Sequence, residues 1–521
     1  IDLFAGPGGL GEGFTSHAEG ETFRIAASAE MESSAHRTLT LRSFFRHVRG
    51  DEVAMRAYYD FCAREDAPHP SLQHPAAWKA AQSEANQLTL GTHGDNLTLD
   101  ALLRKAKLRE DSTVLIGGPP CQAYSLVGRS RNRGKQNYVA ADDHRHFLYR
   151  EYLRILHKNR PAVFVMENVK GILSSRVDGH LVFHDILRDL TDPGKALGLG
   201  SGLRYTIHSL VAPTSFEPGM DPESIEVSDF IIKAERYGIP QARHRVILLG
   251  VRQDLAYDGR FRLREAGPLT VRHSISSLPS LRSRLSRADS SSAWREIVTT
   301  LASDLIAEAE SKTWEALALD AESQRLKTLA RQLRADELEI GKTFETGAVR
   351  YRHFKAQEPD STYCNWVKDD RLEVWLNHES RSHMPSDLGR YFYTAVFGRA
   401  FRRTPKGHRD FALKGLAPEH ANWKTGKFID RFRVQLWDLP STTVTSHIAK
   451  DGHYFIHPDP GQCRSLTVRE AARLQAFPDN YFFLGTRTQQ YHQVGNAVPP
   501  LLARQIAGVV NDILSSQAGS D

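Results

Sequence analysis

The chain has 521 residues, 40% of them hydrophobic and 25% charged, which is too long for one ordinary core and has the composition of a globular protein of two or more domains. A net charge of +6 and an isoelectric point near 9.0 lean towards a polyanionic partner. No apolar run reaches the length of a membrane span, and no signal peptide opens the chain. Cys62, Cys121, Cys364 and Cys463 are scattered with no CxxC pair, which argues against a disulfide framework or a cysteine zinc site, so no metal is expected and a reducing compartment is.

The chain opens at Ile1 inside a predicted strand, so residues are expected to precede it. Over residues 1 to 250, the runs IDLF, RIAASAE, TVLIGG, AVFVMEN and RVILLGV read as strands, with helical stretches such as HFLYREYLRILHK between them. That alternation predicts a doubly wound parallel α/β sheet. A polar insertion rich in His and Pro interrupts it at residues 51 to 93. Residues 280 to 340 are rich in Ala, Leu, Glu and Arg and read as a solvated helical hairpin. Residues 399 to 433 carry ten Lys or Arg against three Asp or Glu, interleaved with Phe401, Phe411, Trp423, Phe428 and Phe432. This pattern suits either a nucleic-acid surface or a plain solvated face. Beyond residue 464 a helix, LTVREAARLQAF, is followed by a turn, GNAVPP, and a last helix, LLARQIAGVVNDIL.

Five stretches carry candidate chemistry. IDLFAGPGGLGEGF is a strand running into a glycine-rich turn. Gly6, Gly8 and Gly11 match G-x-G-x-x-G, and Glu30 ends the next strand where a ribose-binding carboxylate belongs. A nicotinamide dinucleotide fits this pattern as well as any other adenosine cofactor. Asp95, in HGDN, would suit an adenine amino group or simply cap a turn. GGPPCQAYS ends a buried strand in a stiff turn and then presents Cys121, either a reactive thiol or a small buried hydrophobe. VFVMENV ends a buried strand with Glu167 and Asn168, and a carboxyl there is costly unless it binds something. YGIPQARHRVILLG puts Gln241, Arg243 and Arg245 on alternate positions, aimed at one face, as a binding site for a phosphate or an electron-rich base or as a surface ion-pair ladder.

In this order FAGPGG, Glu30, GGPPCQAYS, DHRHFLY, ENV, QARHR, RSLTVREAARLQAFP and GNAVPP resemble the motif series of the DNA cytosine-5 methyltransferases, bacterial type. The match spans about residues 1 to 250 and 430 to 507. The resemblance implies a Rossmann-like S-adenosyl-L-methionine-dependent fold with a smaller target-recognition domain. Its catalytic domain would be 1–260, its target-recognition region 261–455, and 456–521 would return to the catalytic domain. It implies that Cys121 attacks carbon 6 of cytosine, Glu167 holds ring nitrogen 3 and the exocyclic amine, and Arg245 and Arg243 stand beside them. Gln122, Ser125, Gln241 and Thr443 would face the substrate. Phe4, Gly6, Gly8, Gly9, Glu30, Met31, Asp95, Pro120, Leu148, Asn496 and Val498 would form the cofactor pocket. Met31 departs from the aromatic frequent at its position, and a thioether still packs on adenine. Segment 128–142, with Arg129, Arg131, Arg133 and Lys135, would close over a base flipped out of the duplex.

The implied function is a cytoplasmic, prokaryotic, monomeric enzyme acting on double-stranded DNA in restriction-modification or phage defence, with cognate restriction or defence proteins as partners. A transfer-RNA cytosine-5 methyltransferase is the alternative within the family, and a catalytically inactive DNA-binding protein the alternative outside enzymes.

Overall fold

The computed structural model describes residues 1–120, 144–177, 179–255, 257–315, 321–337, 345–354, 358–418, 423 and 431–518. The chain forms two compact units. The first comprises 1–61, 67–268 and 497–521, the second 62–66 and 269–496.

The first unit is built on β1 (Asp2–Leu3), α1 (Gly9–Thr15), β2 (Ser28–Glu30), α2 (Ser33–His47), α3 (Glu52–Ala63), α4 (Pro75–Glu84), β3 (Ala85–Gln87), α5 (His93–Ala106), β4 (Val114–Gly117), α6 (His144–Asn159), β5 (Val163–Val169), α7 (Val182–Thr191), β6 (Tyr205–His208), β7 (Ser215–Phe216), β8 (Ile231–Lys233) and β9 (His244–Arg252). Among the described residues these strands make one sheet in the order β3-β2-β1-β4-β5-β9-β6-β7, with β8 also on β9. The five expected strands are all present. β3 to β5 are parallel, but β9 runs antiparallel to β5, so the sheet is mixed rather than wholly parallel. This reversal brings the start of β9 to the edge where β1, β2, β4 and β5 end. The insertion at 51–93 folds as α3 and α4 and adds β3 to the sheet edge; the three residues Ala-Asn-Gln carry no apolar alternation by which a strand is recognised.

The buried core of this sheet includes Leu3, Leu115, Phe164, Met166, Ile207 and Leu248. α7 buries Val182, Phe183, Ile186, Leu187 and Leu190, the stripe of an amphipathic helix. Beside α1 lies a buried ion cluster. Arg42 holds Glu12 through two bonds, Nε to Oε2 at 2.8 Å and Nη2 to Oε1 at 2.6 Å, and Arg46 bonds to Glu84.

The second unit contains α8 (Ser291–Glu315), α9 (Ala321–Glu337), β10 (Gly347–Tyr351), β11 (Trp375–Glu379), α10 (Pro385–Phe401), α11 (Val468–Leu474) and α12 (Arg487–Asn496). The chain then ends in the first unit with α13 (Pro500–Ala518). Two expectations are corrected here. The helices within 280–340 are not a solvated hairpin: Trp294, Val298, Leu305, Ile306, Leu329 and Leu333 pack into one core with Tyr391, Phe392 and Val396 of α10. The aromatics of the basic stretch do not form a surface either. Phe411, Trp423 and Phe432 are buried in that core and Phe401 packs against it, while Phe428 lies outside the described residues. The first compact unit takes up the chain again at Ala497.

Buried arginines tie α11 and the turn before it into the second unit. Thr467 and Glu470 form a capping box. Arg464 bonds both Glu470 oxygens at 2.7 and 2.6 Å, Arg469 donates to the Tyr481 carbonyl at 2.6 Å, and Arg473 holds Asp479 at 2.9 and 2.6 Å. All three are buried, so their charges satisfy carbonyls and carboxylates inside the unit.

Burial opposes ionisation of Glu12, but Arg42, Arg49 and Arg46 outweigh it and hold its carboxyl at about 2, below its ordinary 4.5. A carboxyl with a depressed pKa contributes stability above its unfolded value and loses it as pH falls through the folded value. Glu12→Gln is expected to lower unfolding free energy by about 3 kcal/mol near neutral pH, the order of cost for breaking a buried pair. The gap from the wild type should narrow below pH 4.5 towards 2. Urea denaturation across that range checks it, and a gap that does not change with pH would refute the assignment.

Candidate active site

The sheet order reverses at β1, whose neighbours β2 and β4 lead the chain away on opposite sides. In α/β sheets, ligands sit in the crevice outside the strand carboxyl ends at such a point. The candidate residues of the first unit lie along that edge.

At the end of β1, Phe4, Gly6 and Gly8 have φ of 57°, 58° and 102°. Phe4 holds a left-handed conformation that costs energy for a non-glycine residue and persists where the surroundings impose it. Gly6 donates its N–H to Glu30 Oε2 at 2.8 Å, and Glu32 donates its N–H to Oε1 at 2.7 Å. Glu30 is thus fixed between the turns that follow β1 and β2, and burial pushes its pKa up against these bonds. Beside it, nothing lies within 4 Å of where a Gly6 Cβ would sit, and Met31 is 58% exposed. A fixed carboxylate with further lone pairs, an open glycine turn and an exposed thioether fit a ribose and the face of an adenine. Phe4 is half-buried against the core.

The other glycines of this motif serve packing. A Cβ on Gly9 would lie 2.3 Å from the Val498 carbonyl oxygen, and one on Gly13 would lie 2.3 Å from Ala503 Cβ on α13. Gly11 lies under Asp2, whose Oδ2 would be 2.9 Å from an added Cβ. Asp95 is half-buried in the first turn of α5, and its Oδ2 accepts the Thr89 N–H at 2.8 Å. It therefore ties the loop after β3 to the helix and keeps one oxygen for a ligand. Leu148 and Val498 are buried, Leu148 within the hydrophobic core of the sheet. Pro120 is half-buried, while Asn496 is exposed at the end of α12 in the second unit.

At the ends of β4 and β5 the geometry is tighter. A Cβ on Gly118 would lie 3.1 Å from Glu167 Oε2. Asn168 reaches back through Nδ2 to the Pro119 carbonyl at 3.4 Å and accepts the Val169 N–H at 2.8 Å. The Gly-Gly-Pro-Pro turn and the Glu-Asn-Val strand end therefore rest on each other, a role for Asn168 and Gly118 that motif spacing alone did not reveal. Arg245 pairs with Val169 and Ile247 with Glu167 in the β5–β9 register, which sets Glu167 and Arg245 on the same face. Arg245 Nε is 3.0 Å from Glu167 Oε1, with the two side chains only 16% and 13% exposed.

Gln241 and Arg243 are fully buried, so the alternative of a surface ladder falls. Burial drives the Arg243 pKa well down, the neighbouring Arg245 adds to this, and Glu167 opposes it. His244 alternates to the other side, with Nε2 2.7 Å from Glu235 Oε1. Thr443 is half-buried in the second unit. Cys121, Gln122, Ser125 and the segment 128–142 lie outside the described residues, as do Arg129, Arg131, Arg133 and Lys135. Cys121 follows Pro120 directly in the chain.

Residues 92–196 and 224–512 match the sequence profile of the C-5 cytosine-specific DNA methylases. The chain belongs to that family. It is 32% identical to the type II methyltransferase M.Bpa9945I of Bacillus paralicheniformis, over 99% of each chain. It is 27% identical to the type II methyltransferase M.AgeI of Thalassovita gelatinovora, again over 99% of each. A crystal structure assigned as a DNA modification methyltransferase encoded within an E. coli prophage superposes with a TM-score of 0.53 at 18% identity, covering 99% of each chain. That likeness supports the same Rossmann-like fold. The chain is a DNA (cytosine-5-)-methyltransferase, and its family implies S-adenosylmethionine as methyl donor and DNA as substrate. Among the described residues no helix is long and apolar enough to cross a membrane.

Gly118→Val would force β-branched bulk against the Glu167 carboxylate. Methyl transfer is expected to fall at least tenfold, with S-adenosylmethionine binding kept within about twofold. The check is to measure turnover and cofactor affinity on the same preparation; unchanged turnover would refute the contact's importance.

Proposed function

We propose that this methyltransferase modifies carbon 5 of a cytosine turned out of a specific duplex sequence, through a covalent adduct between Cys121 and carbon 6, as the modification enzyme of a restriction-modification or phage-defence system. The observation that carries the chemistry is the Glu167–Arg245 pair at 3.0 Å, resting against the turn that leads into Cys121. The defence role rests on the type II methyltransferases it resembles over their full length.

The target carbon is inaccessible inside a stacked duplex, so the base must leave the helix at a cost of a few kcal/mol. Cys121 attacks carbon 6 as a thiolate, which a free thiol supplies at only a few per cent near neutral pH. Attack places negative charge on the ring. Glu167, holding ring nitrogen 3 and the exocyclic amine, stabilises that charge by sharing a proton. Arg245 fixes the Glu167 carboxylate, and Arg243 and Gln241 support it from the buried side. Loss of aromaticity makes carbon 5 enamine-like and nucleophilic. Phe4, Gly6, Glu30, Met31 and Asp95 would hold the methyl donor, with Pro120, Leu148 and Val498 completing the pocket. S-adenosylmethionine, when bound, supplies an electrophilic sulfonium methyl group. After transfer, a base removes the carbon 5 proton and Cys121 leaves by elimination.

The test is base-resolution methylcytosine sequencing of unmethylated plasmid after incubation with the enzyme and S-adenosylmethionine, with Cys121→Ala in parallel. Methylation at one short repeated sequence by the wild type alone is expected. Equal methylation by the variant would overturn the mechanism, and unmethylated plasmid in both would overturn the substrate.

A further inference from the structure

Beyond the assigned site, the first unit carries a cationic cleft at the same end of β5 and β9. In the sheet register Lys233 stands opposite His244, Ile232 opposite Arg245, and Arg245 opposite Val169. The residue after Val169 is Lys170, which opens a short 3-10 turn. His244 is therefore flanked by Lys233 on one side and Lys170 on the other, two strand spacings or about 10 Å apart in the backbone. Both lysines are exposed, and both line a surface cleft of about 370 Å3 together with Arg236 and Tyr237.

The charges of this cleft are unevenly satisfied. Its two acids already have partners: Asp229 accepts the Thr214 hydroxyl, and Glu265 lies 3.2 Å from Arg236 Nε. His244 is likewise engaged by Glu235. Lys170 and Lys233 have no hydrogen-bond or ion-pair partner among the described residues. Burial raises the Tyr237 pKa, with the Glu265 charge adding to it, so its hydroxyl stays a proton donor at neutral pH. Two uncompensated ammonium groups and a phenol form a site for an oxyanion. Because strand side chains alternate, Lys233 and His244 face away from Arg245, so the cleft flanks the Glu167–Arg245 pair without being part of it.

We propose that this cleft grips a backbone phosphate of the DNA duplex, fixing the register of the strand on the enzyme and contributing no base readout. This rests on duplex DNA being the substrate, as proposed above. Phosphate contacts position a protein on the duplex, and each one neutralised lowers the slope of log affinity against log salt by about 0.9.

The test compares the wild type with Lys170→Gln/Lys233→Gln for binding to a plasmid-derived duplex across a salt series. The double variant is expected to bind more weakly, with a slope shallower by about 0.9. It should keep wild-type S-adenosylmethionine affinity and methylate the same sites with a higher KM for DNA. An unchanged slope would overturn the proposal. So would inorganic phosphate raising the melting temperature of the wild type but not of the variant while DNA slopes stay equal, since the cleft would then serve free phosphate. Wild-type enzyme that leaves DNA unmethylated would instead count against the function proposed above.

Discussion

The site depends on one reversal of strand direction. β5 carries Glu167 to the carboxyl edge of the sheet, and β9, running the other way, starts at that edge with Arg245, just after Arg243. Were β9 parallel to β5, its arginines would lie at the opposite end and the carboxylate would face its buried surroundings without a cation. The antiparallel register sets Arg245 across from Val169, within 3.0 Å of Glu167. A carboxyl at a buried strand end and two arginines on a neighbouring strand are each costly alone. Together they make a compact polar site of two guanidinium side chains and one carboxyl, suited to a ring that gains negative charge.

The same edge is held from both sides by backbone contacts rather than by long side chains. Glu30 is fixed by N–H groups from the turns after β1 and β2, so the ribose-binding candidate is positioned by the sheet itself. Gly118 gives Glu167 room, and Asn168 ties its own strand to the Pro119 carbonyl. Such support from rigid elements holds a reacting constellation in place at little entropic cost. Around it the glycines divide the labour. Gly6 leaves open space for a ligand, whereas Gly9 and Gly13 let α1 approach α13, which docks the end of the chain under the site.

Much of the first unit was legible because buried strands such as VFVMENV are continuous apolar runs and the polar residues that end them stand out. The same reading named Glu30, Glu167, Arg243 and Arg245 from chemistry, and the motif order gave the family. Three things were hidden for physical reasons. β3 is too short and polar to show a period. The direction of β9 is set by its pairing, which RVILLGV does not encode. In the second unit, burial is set by tertiary partners: spacing does not assign Glu470, Tyr481 and Asp479 as the partners of Arg464, Arg469 and Arg473, and Phe411, Trp423 and Phe432 suited a nucleic-acid surface or a solvated face because their packing against α10 is nonlocal.

The central claim is that Cys121 joins covalently to carbon 6 of a DNA cytosine. The most direct measurement uses duplex DNA synthesised with 5-fluorocytosine, from which a carbon 5 proton cannot be removed, so elimination stalls with the enzyme attached. With S-adenosylmethionine present, the account predicts a denaturant-resistant protein–DNA complex whose crosslinked peptide contains Cys121, and none with Cys121→Ala. Methylation of normal DNA by the wild type without any such complex on the fluorinated duplex, or a crosslink mapping to another residue, would contradict it.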